Sequence, residues 1–493
     1  MTESVIFSVE IQQLLGVAAR HLSASRSSGY VVGGAVRDAL LGRAIVDVDI
    51  AVSGDPASLA RAVEAQYGAP VVELDADRQV YRVPLERGRL TLDVTPLTDG
   101  SIDLDARRRD FTINALAVLI ARAASGPAEV IDAVGGLDDL RKRQVRAVSE
   151  DVFRDDSVRL LRAVRIGVEL GFTIEATTAE CIKRDAPLLA GVAAERVRDE
   201  MCRILALPGS APSLRLLDEL RLLTVVLPEL EAARNCGQPK EHYWDVLPHS
   251  IESAGHAEQV LRQTSPEPEV AAQTVWDEEL ALYFAEPVSS GHTRATLLKW
   301  AALLHDVGKP GAKTIEPDGR IRFLGHPTLG AEMTRVIMER LRFSNRETAN
   351  VVSLVKEHLR PGLISRDAGP SRRALYRMFR DAEGVEIDLL FLSFADYLAA
   401  RGPLREAEDW SRFSGSIRAM LANWRAQPEE GRPPKLVDGH DLMRELGIPP
   451  GPALGTVLDG VQEACAAGEV GNKEEALVLA ARLWREARGA NRE

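Results

Sequence analysis

Long apolar runs, paired cysteines, aromatic residues and net positive charge are all scarce in this 493-residue chain. No uninterrupted apolar stretch approaches the roughly 20 residues a bilayer-spanning helix requires, so no membrane partner is expected. The opening MTESVIFSVE has neither the basic start nor the apolar core of a secretory signal, which makes the cytoplasm the expected compartment. Four cysteines (Cys181, Cys202, Cys236, Cys465) lie far apart with no CxxC spacing, arguing against disulfides and against a zinc knuckle. The net charge of −12 looks unfavourable for a nucleic-acid partner, but totals hide distribution. Residues 141–165 carry eight Arg or Lys against four acids, whereas residues 264–290 carry six acids and no Lys or Arg. A locally basic face on an acidic protein is compatible with nucleic-acid binding.

What is present is a globular composition, 45% hydrophobic and 27% charged, in a chain long enough for several domains. Its densest chemistry is Tyr30–Val52, YVVGGAVRDALLGRAIVDVDIAV. The pattern predicts a short strand, a Gly33-Gly34 turn, a helix from Ala35 to about Leu41, and a second strand carrying Asp47 and Asp49. Strand side chains alternate, so Asp47 and Asp49 share one face while Val48 and Ile50 point into a core. Two neighbouring carboxylates repel unless a cation lies between them, and oxygen-only ligation suits Mg2+ that also holds substrate phosphates. The glycine turn offers backbone N–H groups to a triphosphate, with Arg37 placed to reach the same phosphates. Charge stabilisation on a moving phosphoryl group is the chemistry this favours.

GGAVRD (33–38) followed by DVD (47–49) resembles the signature of the class II nucleotidyltransferases, the family of CCA-adding enzymes and bacterial poly(A) polymerases. Downstream, a helix is expected from Pro56 to Tyr67, then strands near 70–75, 79–85 and 89–95 with a turn at Arg87-Gly88. Asp93 is a candidate third carboxylate. Asp105–Ala117, DARRRDFTINALA, places three arginines and an aspartate at an expected helix start and matches the family's RRDFTINA motif. The resemblance implies that Arg108 and Arg109 contact triphosphate or sugar, Asp110 orients an arginine or the ribose, and Asn114 supports the site.

From Val148 onward the chain reads as helical, with Val158, Leu161, Ile166 and Leu170 on an apolar stripe and Arg159, Arg162 and Arg165 on a neighbouring face. Asp156 precedes Arg159 by three, a spacing that lets the two meet on one helix face. Such a pair offers acceptors and donors to a base edge, enough to separate cytosine and adenine from guanine and uracil. The family's EDxxR motif fits two frames, Glu150-Asp151…Arg154 and Asp155-Asp156…Arg159; the second directly precedes LLRAVRI, as in family members. ERVRDE (195–200) resembles the ERxxxE helix that braces the neck. One departure stands out: Thr95–Ser101 leads almost at once to Asp105, where many CCA-adding members have a longer loop tied to the switch from CTP to ATP. Members with this loop shortened include enzymes that add only the two cytidines.

Seven of nine histidines fall between His242 and His358. WAALLHDVGKP (300–310) predicts an apolar helix ending at His305-Asp306 and broken by Gly308 and Pro310. His249, His326, His358 and Asp396 are further candidate ligands, and mixed imidazole and carboxylate ligation favours Mn, Ni, Fe or Zn over calcium. The set resembles the HD phosphohydrolases, implying His249, His305, Asp306 and Asp396 around one metal and His326 and His358 on a second. Bound metal would activate water for attack on a phosphoester. The acidic 264–290 segment reads as an insertion or exposed loop, and Gln427–Pro434 as a Pro-rich link. The tail around 437–455 resembles the C-terminal region of HD-containing members, where it helps grip the tRNA.

The expected fold class is α+β: a nucleotidyltransferase head with a small mixed sheet (1–147), an all-α neck (148–240), an HD domain (241–402) and a helical tail (403–493). The expected activity is template-independent addition of CCA to the tRNA 3′ end from CTP and ATP. A CC-only enzyme, a poly(A) polymerase, and a phosphohydrolase with a non-catalytic head are the alternatives.

Overall fold

The structure, a computed structural model, describes residues 3–85, 89–365, 371–426 and 435–490. Two compact units form: Met1–Glu200 with Leu216–Val226, and Met201–Arg215 with Leu227–Glu493. The first contains an eight-stranded mixed sheet, the second is mainly helical, and the α+β expectation holds.

The sheet strands are β1 (Ser4–Val5), β2 (Gly29–Val32), β3 (Asp47–Val52), β4 (Val72–Asp75), β5 (Val80–Leu85), β6 (Leu90–Pro96), β7 (Ala117–Leu119) and β8 (Ala128–Ile131). They run in the order β1-β8-β7-β2-β3-β6-β5-β4. Only β3 and β6 pair in parallel within it, placing Asp49 opposite Asp93 and Asp47 opposite Thr91. Between them runs the crossover helix Pro56–Tyr67, started by Asp55, whose side chain accepts from Ala57 N–H, and by Pro56 at its first position. Leu59, Ala60 and Val63 are buried on its inner face. Val48 and Ile50 are fully buried, while Asp47 and Asp49 lie on the opposite face of β3. Farther along that opposite face, Ala51 joins Val32, Leu97 and Ala117 in an apolar cluster.

Two segments differ from the sequence reading. The helix Ile102–Arg108 ends at the arginine run instead of starting there. Cations in a last helical turn meet the negative end of the helix dipole, and Asp110 lies beyond, after the extended Arg109 (φ −71°, ψ 173°). The helix expected from Val148 onward is interrupted: Val152–Asp155 and Arg159–Leu170 are separate, with Asp156 extended between them (φ −153°, ψ 101°). Aspartate and serine compete for backbone partners in just this way.

In the second unit, helices Val246–Val260, Arg294–Leu304, His326–Arg340, Asn345–Glu357 and Glu386–Arg401 surround a core that includes Trp300, Leu303 and Phe391. The acidic 264–290 segment is not an exposed loop. It forms helices Pro268–Gln273 and Glu278–Ala285, and its apolar residues Val270, Leu280 and Phe284 are buried while its acids face outward. Phe284 stacks on Trp276 and meets Phe391 edge-on at 4.7 Å between ring centres. The tail contributes helices Ala407–Ala426, Gly439–Leu446, Pro452–Ala467 and Lys473–Ala490, the last three around Leu442, Val457, Val461 and Ala480. The expected turn at Arg87-Gly88 and the link at 427–434 lie outside the described residues.

Phe284→Ala is expected to cost about 3 kcal/mol, as for other buried aromatic truncations, and to lower the urea midpoint of the second unit. A change within experimental error would restore the picture of a dispensable surface insertion.

Candidate active site and metal centre

In the first unit the site is built where β2, β3 and the arginine run converge. Gly33 leaves β2 with φ +76° and ψ −146°, a conformation that an L side chain resists. A Cβ there would lie 2.8 Å from Asp49 Oδ2 and 3.1 Å from Arg109 Nη1. The missing side chain therefore lets a carboxylate and a guanidinium close on the turn. Asp49 is pushed up to about 6, by burial first, with Arg109 opposing and the neighbouring Asp93 and Asp47 adding to the rise. A carboxylate so placed is under-neutralised, and a divalent cation beside Asp47 and Asp49 would relieve it. The oxygen donors thus fit Mg2+. Asp93 is adjacent in register, but its two oxygens are taken by Arg82 at 2.8 and 2.7 Å.

Arg37 departs from the expected phosphate contact. It is buried, with Nε and Nη2 on Asp38 (2.9 Å each) and Nη1 on Asn114 Oδ1 (2.6 Å). Asn114 Nδ2 in turn donates to Asp110 Oδ1 at 3.1 Å, and Asp110 Oδ2 receives Arg162 Nε and Nη2 at 3.0 and 2.7 Å. Against the cost of burial, Arg162 and Asn114 hold the Asp110 carboxyl below its ordinary range. The family-implied roles of Asp110 and Asn114 thus meet a network that joins the glycine-turn helix, the arginine run and the helix Arg159–Leu170.

A polar cleft of about 300 Å³ opens beside this network, lined by Asp105, Arg108, Arg109, Asp110, Asp156, Arg159, Arg162 and Arg196. Arg109 is oriented by Asp105 (Nε to Oδ2, 2.9 Å), and Arg108 is largely exposed. Asp156 and Arg159 both face the cleft without forming the expected pair, because the helix starts only at Arg159. Arg159 donates to the carbonyls of Arg108 (3.0 Å) and Val152 (3.5 Å), while Asp156 is held by Arg196 at 3.0 and 2.8 Å. Arg165 does not line the cleft; it bonds Glu200 at 2.7 Å and Glu169 at 3.1 Å. Asp105 was not singled out as a site residue, and Arg196 entered the sequence reading only within ERVRDE (195–200); its pairing with Asp156, forty positions away, left no local signal.

In the second unit, His249, His305, Asp306, His326, His358 and Asp396 come together. His249 Nε2 is 3.1 Å from Asp396 Oδ1 and 3.3 Å from Asp306 Oδ2, and His305 Nε2 is 3.2 Å from the same Asp306 oxygen. On the other side, Asp306 Oδ1 is 3.3 Å from His326 Nε2 and 3.6 Å from His358 Nε2. Asp306 therefore divides two ligand groups. The close packing needs glycine: a Cβ on Gly308 would lie 2.4 Å from His326 O.

Proton placement tests the fit to metal. His305, His326 and His358 direct Nδ1 to the carbonyls of Ala302, Phe323 and Val355 at 2.8, 2.7 and 2.7 Å. A carbonyl only accepts, so each Nδ1 carries hydrogen, and each ring, when neutral, aims an Nε2 lone pair inward. The Nε2 atoms of His326 and His358 are 3.4 Å apart, a repulsive arrangement that a bound cation or an extra proton resolves. Burial pulls His305 down, but Asp306 and Asp396 outweigh it and raise the imidazole to about 10. Lys309 Nζ, 2.6 Å from Asp306 Oδ2, is a further cation that the sequence reading did not single out. Two clusters of nitrogen and oxygen donors sharing a carboxylate fit divalent transition metals. They adjoin a cleft of about 470 Å³ bordered by His242, His358, Asp396, Tyr397, Arg401 and Arg412.

Comparisons with known proteins follow this layout. Family profiles match the Poly A polymerase head domain over residues 29–146, the HD domain over 246–401 and tRNA nucleotidyltransferase domain 2 over 411–481. The chain is 36% identical to the A-adding tRNA nucleotidyltransferase of Deinococcus radiodurans, covering 93% of this chain and 96% of that one. It is also 36% identical to the CC-adding tRNA nucleotidyltransferase of Thermus thermophilus, covering 94% of each. The fold is similar to that of the Thermotoga maritima CCA-adding enzyme complexed with tRNA-CCA (TM-score 0.59, 21% identity, 97% and 96% of the two chains). Among the described residues, no helix is long and apolar enough to cross a membrane.

Gly33→Ala is expected to weaken Mg2+–nucleoside triphosphate binding by at least about tenfold, combining left-handed strain with intrusion between Asp49 and Arg109. Isothermal titration against wild type measures it. The second expectation concerns pH. A histidine raised from 6.5 to about 10 stabilises the folded metal-free protein fully below pH 6.5 and loses that contribution as pH climbs through about 10. Mn2+ loading at pH 7.5 is expected to release about one proton, seen as a calorimetric enthalpy that changes with the ionisation enthalpy of the buffer. A buffer-independent enthalpy would contradict it.

Proposed function

This chain belongs to the family of tRNA nucleotidyltransferases and poly(A) polymerases that carry an HD domain, and we propose that it adds cytidylate from CTP to the 3′ end of tRNA, stopping at CC. The observation that carries the transfer reading is the position of Asp47 and Asp49 on one face of β3 beside Gly33 and Arg109. Asp47 and Asp49 would hold Mg2+, which when bound would supply activation of the RNA 3′-hydroxyl and neutralisation of the triphosphate. Arg109, aligned by Asp105, and Arg108 take the triphosphate oxygens. Arg37, Asn114 and Arg162 position this machinery through Asp110. Asp156 accepts from the base's exocyclic amino group and Arg159 donates to its ring nitrogen. Specificity for tRNA comes from backbone contacts and shape.

The choice of CC over CCA is supported by the connection from β6 to the helix Ile102–Arg108, a single turn at Thr98–Gly100 in place of a long loop. Of two relatives at 36% identity, one is named an A-adding and the other a CC-adding tRNA nucleotidyltransferase, each name covering part of the CCA end.

The shared-carboxylate cluster favours a second activity, hydrolysis of a phosphoester. His249, His305, Asp306, Asp396, His326 and His358 would hold Mn, Ni, Fe or Zn, which when bound would supply an activated water and polarisation of the phosphate. Arg401 and Arg412 border the same cleft as cationic contacts for the substrate.

One set of assays tests both readings. Wild-type protein, given tRNA lacking CCA, should extend it by two cytidines with CTP alone and no further with CTP plus ATP. Completion to CCA, extension only of tRNA already ending in CC, or long A tails would each overturn the CC assignment. Asp49→Ala should abolish addition and leave Mn2+-dependent hydrolysis of bis-p-nitrophenyl phosphate intact, with Asp306→Ala showing the reverse. Loss of both activities in either folded variant would contradict two independent sites.

A further inference from the structure

We infer that Arg196 is a specificity-determining positioning residue, fixing the carboxylate of Asp156 so that the neck cleft accepts a base with an exocyclic amino group. The inference rests on the reading of that cleft as the place where the base is selected.

Asp156 has little else to hold it. It lies in extended chain between the helices Val152–Asp155 and Arg159–Leu170. Apart from Arg196, the hydrogen bond at its carboxylate among the described residues is a long one from Val158 N–H, 3.3 Å to Oδ1. Open space flanks it on two sides, because Asp156 and Arg196 line both the 300 Å³ arginine-rich cleft and a second cleft of about 630 Å³. A side chain with space on both sides and one weak backbone bond would sample several rotamers.

Arg196 removes that freedom. From the first turn of the helix Ala194–Ala206 it places Nη1 on Oδ1 at 3.0 Å and Nη2 on Oδ2 at 2.8 Å. Two parallel bonds fix the plane of a carboxylate as well as its position. They occupy one lone pair on each oxygen and leave the others able to accept. Arg159 is held separately, by the carbonyls of Arg108 and Val152. The cleft thus offers a fixed acceptor and a fixed donor from different supports. Cytosine presents an amino group and a ring nitrogen acceptor in complementary order. Uracil presents a carbonyl oxygen to Asp156 and an N–H to Arg159, and is opposed at both. This discrimination requires that Asp156 cannot turn aside, so it depends on Arg196. Among the described residues the Arg196 guanidinium bonds Asp156 and none of Asp47, Asp49, Gly33 or Arg109, so the transfer step itself does not depend on it.

The test compares wild type, Arg196→Ala and Arg196→Lys for CTP and UTP, both in equilibrium binding and in transfer to tRNA lacking CCA. Arg196→Ala is expected to raise KM for CTP about tenfold, to change kcat less than about threefold, and to lower the CTP-over-UTP ratio of kcat/KM at least about tenfold. Lysine keeps a charge but not the fork, so it should recover part of the CTP affinity and little of the discrimination. An unchanged CTP-over-UTP ratio in Arg196→Ala overturns the inference, as does a fall in kcat for both nucleotides with the ratio preserved. Should wild type bind CTP over UTP yet transfer neither, the proposed activity fails, and the binding ratio of Arg196→Ala alone decides for or against Arg196.

Discussion

The head site depends on one buried carboxylate. Asp110 accepts from Phe111 N–H, Asn114 and Arg162, and Asn114 passes the connection to Arg37 on the helix that follows the glycine turn. Burying an ion is costly, and a network of this kind stabilises only when every member is satisfied together. That all-or-none property fixes three segments distant in sequence in one arrangement. Arg109, the residue before Asp110, is then held facing Gly33 and Asp49 without having to find that position when nucleotide arrives.

The contrast between Asp110 and Asp49 shows how the structure separates support from chemistry. Both are aspartates with polar neighbours, but four donors hold one below its ordinary range while burial pushes the other up to about 6. Unrelieved electrostatic strain of this kind marks places where a ligand completes the structure. The second unit repeats the pattern with different donors. Asp306 is flanked by imidazoles, of which His305, His326 and His358 commit their outer nitrogens to backbone carbonyls, and the inner nitrogens of His326 and His358 face each other at 3.4 Å. Oxygen donors in the head and mixed nitrogen and oxygen donors in the HD domain sort the two sites toward different metals.

The sequence exposed features governed by short-range periodicity. Alternation in DVDIAV placed Asp47 and Asp49 opposite the buried Val48 and Ile50, and an apolar run stopping at Gly308 and Pro310 predicted a helix ending at His305-Asp306, close to its observed end at Leu304 with His305 as the cap. It did not expose what depends on distant partners. Arg37 was read as a phosphate ligand because its spacing allowed that, whereas Asp38 and Asn114 occupy its nitrogens. Asp156 and Arg159 were placed on one helix because the arginines recur every three residues, but Asp-Ser at 156–157 breaks the helix there. In the acidic 264–290 segment charge dominated the reading, although Trp276, Leu280 and Phe284 carried the signal for a buried face.

Selectivity without a template places a demand on rigidity that these features meet together. A pocket that reads first one base and then another must rearrange between additions, and rearrangement needs a mobile element or a network with two stable states. Here the connection from β6 to the arginine run is one short turn, Asp110 joins the head to the neck helix through bonds that are all made at once, and Asp156 is clamped by a two-pronged guanidinium. Each device lowers the number of arrangements available to the cleft. On the proposed reading, a cleft with one arrangement and one placement of the sugar would suit one base, and its repeated use would give two identical additions. Under the proposed function, the interactions that hold the pocket in one arrangement are the ones that would limit the product, and the energetic cost of breaking the Asp110 network would resist a switch to adenine.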